Sequence, residues 1–146
     1  MSGDLRFLVF QFLASTHHRH EGLPPASSPF DYRMISAPPV PIANLPEAAC
    51  AIARRLGEVL RPDAIFLFGS HARGDAGPDS DLDFLVVVPD SLRSRYMRSV
   101  DVRALVADIP APKDIVVLTR REWESEQRVL CSLASTVRRE GIQLHG

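Results

Sequence analysis

Ala64-Ile65-Phe66-Leu67-Phe68-Gly69-Ser70-His71-Ala72-Arg73-Gly74 and, after six further residues, Asp81-Leu82-Asp83-Phe84-Leu85-Val86-Val87-Val88 decide how this chain folds. Ala64–Phe68 is a continuous apolar run too short for a core helix and bounded by turn residues, which predicts a buried strand. Residues 81–88 predict a second strand. Between them, residues 69–80 hold three Gly, one Pro and two Asp, so that stretch is loop with at most one helical turn. Asp81 and Asp83 stand two apart on an extended segment and therefore share a face. Two residues span roughly 6.5 Å, close enough for both carboxylates to converge on one centre. Leu82 and Phe84 then point the other way, into a core.

Working outward, Asn44-x-x-Glu47 reads as a capping box with Pro46 in the first turn, where its missing N–H is harmless. Leu45, Ala49, Ile52, Leu56 and Val59 recur at helical spacing, so a helix runs to about Leu60 and Pro62 stops it. Pro89-Asp90-Ser91 ends the second strand and caps a helix over residues 92–107. Pro110-Ala111-Pro112 resets the chain, and residues 114–118 predict a third strand. Thr119-x-x-Glu122 is a second capping box, opening one helix that carries Trp123, Leu130, Leu133 and Val137. Gly141 is its C-cap, and residues 142–144 make a short last strand. The order α-β-loop-β-α-β-α-β predicts an α/β or α+β domain, helices covering a small sheet of nearly all-apolar strands.

Within those apolar strands three carboxylates stand out: Asp81, Asp83, and Asp114 at the start of strand three. If strands two and three are neighbours, all three meet at one end of the sheet. Acids so placed repel each other unless a cation binds them. Hard oxygen ligands of this kind suit Mg²⁺, and a pair of such ions serves in-line displacement at phosphorus. Gly69 lets a phosphate approach the backbone, and Ser70 offers a hydroxyl and an N–H at the start of a short helical turn.

At these residues the sequence resembles the DNA polymerase beta superfamily of nucleotidyltransferases, and more narrowly the minimal nucleotidyltransferases, whose motif is Gly-Ser-x-Ala-Arg-Gly followed by Ser-Asp-x-Asp. Here it reads Gly69-Ser70-His71-Ala72-Arg73-Gly74 and Ser80-Asp81-Leu82-Asp83, and the resemblance spans about residues 44–144. It implies a small mixed β-sheet flanked by helices and transfer of AMP from ATP with Mg²⁺, two ions. It also implies a HEPN-domain toxin as partner, modified on a tyrosine hydroxyl by this chain acting as antitoxin. Carried over by position, Gly69 and Ser70 hold the outer phosphates. Asp81 and Asp83 are metal ligands and catalytic residues, and Asp114 completes that set as ligand or general base. Arg73 is either a phosphate contact or a structural ion-pair member.

Two other functions compete: a non-catalytic antitoxin that neutralises its partner by contact, and a small-molecule transferase of the aminoglycoside-modifying type. The latter, like a polymerase, ordinarily needs an added substrate domain, and 32 residues follow Asp114.

Composition narrows the field. The chain has 146 residues with 17 Lys and Arg against 18 Asp and Glu, a net charge of -1, which disfavours a nucleic acid as direct substrate. No run of 18 apolar residues exists, so no membrane role is expected. Cys50 and Cys131 lack ligand spacing and fall on apolar helix stripes, which predicts reduced core thiols and a cytoplasmic protein. Residues 1–43 read as a Pro-rich leader before a domain at 44–146. Residues 1–33 are either a disordered leader or sequence upstream of a true start at Met34. The His17-His18-x-His20 cluster in that leader has no acidic or Cys partner nearby. Arg93, Arg95, Arg98 and Arg103 predict a solvated basic helix face.

Overall fold

Ala64–Phe68 forms β1, and the second apolar run forms β2, Leu82–Val88, in a computed structural model that describes residues 40–146. Around them, in chain order, lie α1 (Glu47–Leu60), α2 (Ser70–Arg73), α3 (Arg95–Ala104), β3 (Lys113–Thr119), α4 (Arg120–Glu126), α5 (Leu133–Glu140) and β4 (Ile142–His145). A 3-10 turn, Ile42–Asn44, precedes α1. The expectations for residues 1–39, including the leader and the His17-His18-x-His20 cluster, lie outside the described residues.

The four strands form one mixed sheet in the order β3-β2-β1-β4. β1 runs antiparallel to both β2 and β4, while β2 and β3 are parallel, joined by a crossover through α3. Alternation along the strands separates two apolar layers. Ile65, Leu67, Leu82, Phe84, Val86, Ile115 and Val117 pack against Ile52 and Leu56 of α1 and Val102 of α3. On the other face Leu85, Val87 and Leu118 meet Ala134 and Val137 of α5, with Phe66 and Trp123 packed alongside. The Phe66 and Trp123 rings stack with centroids 5.2 Å apart. The result is the α/β arrangement of a small mixed sheet flanked by helices.

Several local expectations are corrected. The Asn44–Glu47 box does not form, because Asn44 is held in the 3-10 turn and Pro46 takes the N-cap position without a side-chain cap. The box at Thr119–Glu122 does form, with both reciprocal hydrogen bonds. The single helix expected after it is two: α4 stops at Glu126, and Ser132 caps α5 through Ser135 N–H. Cys131 at the break sits at φ 62°, a left-handed conformation unfavourable for a side-chain-bearing residue. Gly141 is the C-cap of α5 as expected, in an extended conformation with its N–H on Val137 O at 2.7 Å. Both cysteines are exposed rather than core thiols. For Cys50 the reason is its place on the outer side of α1, beside buried Ala49.

The arginines of α3 and its approach form a solvated basic face only in part: Arg95 and Arg103 are exposed, Arg93 is half-buried and Arg98 is buried. Arg98 is 2% exposed, donating to Arg93 O at 2.8 Å, to Val117 O and to Glu122. Arg93 meets Asp101 at 2.7 Å, Arg95 pairs with Glu126, and Arg103 with Asp114. Each neutralises an acid that its own fold brings near.

Candidate active site

The end of β1 and the start of β2 build the site. Phe68 and Asp83 are register partners across the antiparallel pair, so Gly69, one residue beyond, comes to lie beside the Asp83 carboxylate. Gly69 adopts φ 72°, ψ -152°, a region essentially reserved for glycine. A β-carbon there would overlap Asp83 Oδ2. Two constraints, one conformational and one steric, thus demand the same residue. The chain then turns into α2 at Ser70, whose hydroxyl makes no hydrogen bond among the described residues.

The loop from α2 to β2 is closed by Ser80. Its Oγ accepts from Gly77 N–H at 2.9 Å, and its carbonyl oxygen lies 3.2 Å from His71 Nε2. His71 therefore ties the Gly-Ser turn to the segment that leads into Asp81, a link that its position as a variable residue in the motif did not suggest. Arg73 meets Asp75 at 3.3 Å and Glu140 of α5 at 3.8 Å. It is half-exposed and engaged by two acids, the ion-pair reading of that residue.

β2 and β3 are neighbours, as the acid cluster required. Asp83 and Asp114 are direct register partners on these parallel strands, so they project from the same face on backbones about 4.8 Å apart. Asp81 lies exposed just before β2. Burial pushes the Asp83 carboxyl above its ordinary value, and the like charges of Asp114 and Asp81 add to that. His71 and Arg73 offset part of it. Asp114 Oδ1 accepts from Arg103 and from Ile115 N–H at 3.1 Å.

Among the described residues no three His, Cys, Asp or Glu side chains are drawn together tightly enough to hold an ion as placed. One oxygen of the third carboxylate, Asp114 Oδ1, is already taken by the Arg103 guanidinium. The donor chemistry nevertheless fits a hard divalent cation. Asp83 is raised first by burial and then by its acidic neighbours, and a cation among them would relieve the neighbours' share.

A Gly-Ser turn leaving one strand, packed on an acid-rich strand start beside it, defines a nucleotide-handling class of enzyme. The chain belongs to the nucleotidyltransferase domain family, whose model matches residues 49–141, and its fold is that of the polymerase-beta-like nucleotidyltransferases. Among solved structures, the chain is similar to a crystal structure of a mutant toxin-antitoxin MntA-HpeT, at 20% identity and TM-score 0.42, covering 67% of this chain and 73% of that one. It is also similar to a crystal structure of a toxin-antitoxin with AMP-PNP, at 24% identity and TM-score 0.45, covering 69% and 74%. No curated protein matches it. Among the described residues no helix is long and apolar enough to cross a membrane.

Proposed function

We propose that the chain is a Mg²⁺-dependent transferase that moves AMP from ATP onto a hydroxyl, a tyrosine of a HEPN-domain toxin, and so acts as that toxin's antitoxin. The observation that carries the reading is the close approach of Gly69 to Asp83, which brings the Gly-Ser turn against the acid-bearing strand. The motif resemblance supplies the nucleotide and the partner.

In this reading Asp81, Asp83 and Asp114 hold Mg²⁺, which when bound neutralises phosphate charge. Gly69 leaves room for a phosphate against the backbone, and the Ser70 hydroxyl and N–H donate to it. His71 keeps that turn in register with the acids. The acceptor hydroxyl attacks the α-phosphorus in line, pyrophosphate leaves, and Asp114 or solvent takes the hydroxyl proton. Arg73 screens the acids while remaining tied to Asp75 and Glu140.

The test is the intact mass of a HEPN-domain toxin after incubation with this chain, ATP and Mg²⁺. Addition of one or more AMP units, absent with an Asp81→Ala, Asp83→Ala variant, supports the proposal. An unchanged mass, with the variant still neutralising the toxin in cells, overturns it in favour of inhibition by contact.

A further inference from the structure

Asp114 is held by a residue that the motif does not contain. Arg103 lies in the last turn of α3, a helix that packs on the opposite face of the sheet through Val102. Asp114 shares the face of its register partner Asp83. Among the described residues β3 is an edge strand, and the Arg103 guanidinium donates to Asp114 Oδ1 there. The same oxygen also accepts the Ile115 N–H. Both side chains of the ion pair are half-exposed, and no buried contact locks Arg103 in place.

The geometry points to Arg103 as a competitor of the divalent cation for Asp114: the arginine must release that carboxylate before it can join Asp81 and Asp83 around an ion. The inference rests on the metal-site reading of those three acids. Its physical basis is that Asp114 Oδ1 already accepts from both the Arg103 guanidinium and the Ile115 N–H, so a cation must compete for that oxygen, and as placed the described acids are not gathered around an ion. Arg103 therefore sets how readily the third ligand is recruited, and through it the cation concentration at which the site fills.

Direct binding of Mn²⁺ to the full chain without nucleotide, followed by electron paramagnetic resonance, tests this without measuring turnover. Arg103→Gln is expected to tighten Mn²⁺ about two- to fivefold, the scale of an exposed ion pair. Arg103→Lys, which keeps the charge, is expected to stay near wild type. In an Asp114→Asn background the Arg103→Gln substitution should change nothing. Unchanged or weaker binding by Arg103→Gln, or an equal effect in the Asp114→Asn background, overturns the inference while Asp83-dependent binding by wild type leaves the metal site standing. If wild type shows no Mn²⁺ binding that Asp83→Asn removes, the metal-site reading falls and the inference with it.

Discussion

Gly69 and Asp83 occupy each other's margin: the α-carbon of Gly69 lies so close to Asp83 Oδ2 that a β-carbon would overlap that oxygen. The backbone at Gly69 independently sits at φ 72°. Gly69→Ala should therefore act twice. It is expected to cost about 1–3 kcal/mol of stability from backbone strain, and to displace Asp83 relative to Ser70. A shift of about 1 Å at a reacting centre is worth roughly 10²-fold in rate, so transfer activity should fall by that order. Denaturant melts and single-turnover assays on the same preparation separate the two. A variant with wild-type turnover would show that the turn does not handle phosphate.

Asp83 is the acid whose charge the fold resists most. Burial comes first, then repulsion by Asp114 and Asp81, and together they hold its carboxyl above the ordinary value. Asp83→Asn removes the charge and keeps the shape. The expected outcome is a protein that melts higher than wild type in chelator, yet loses roughly 10²-fold or more of its activity, the scale of deleting one electrostatic stabiliser of a reacting centre. Added Mg²⁺ should raise the melting temperature of wild type and leave that of the variant unmoved. Equal melting temperatures in chelator would mean the acids do not repel in solution.

Trp123 is the sole tryptophan of the chain and stacks on Phe66 at 5.2 Å, where α4 covers the β1 face. Its emission should shift to longer wavelength in a single transition with unfolding of the sheet. Trp123→Ala removes both the stacking and the apolar cover, and is expected to cost about 3 kcal/mol; Trp123→Phe should recover most of it. A loss below about 0.5 kcal/mol in Trp123→Ala would place the stacking outside the stabilising core.

The strands were legible because Ala64–Phe68 and residues 81–88 are apolar runs between strong breakers, and the pairing of Asp83 with Asp114 follows once β2 and β3 are adjacent. Placement of Gly69 beside Asp83 was not legible, because it depends on the antiparallel register in which Phe68 faces Asp83. The break between α4 and α5 was not legible, because Leu130 falls at helical spacing with Leu133 and Val137 yet is 91% exposed. Periodicity records where a residue falls on an ideal helix, not whether the chain continues as one. The pairings of the arginines were missed for a related reason. Their partners Asp101, Glu122, Glu126 and Asp114 lie 8 to 31 residues away, and charge counts along one helix carry nothing about which acids the tertiary fold delivers.

Glu122 shows what that delivery does. The Thr119–Glu122 box was legible as a helix start, but the same carboxylate also receives the buried guanidinium of Arg98. Burial alone would push the Glu122 carboxyl up; the Arg98 side chain, with the Thr119 N–H and hydroxyl, outweighs burial and holds it below the ordinary 4.5. A depressed carboxyl binds protons less readily in the folded chain than in the unfolded one. Its stabilisation is therefore complete above about pH 4.5 and disappears as pH falls through the lower folded value. Glu122→Gln keeps an acceptor for Arg98 without the charge. Because Glu122 is partly exposed, solvent screening holds the difference to about 1 kcal/mol at pH 7, and it should shrink to near zero below the folded value. Arg98→Ala should be far worse, by roughly 3–5 kcal/mol at pH 7, because it strands the carbonyls of Val117 and Arg93 as well as the Glu122 carboxylate. Urea melts from pH 3 to 7 read both variants. A gap between wild type and Glu122→Gln that stays constant with pH would show that the pair contributes hydrogen bonding and packing but no charge-dependent stability.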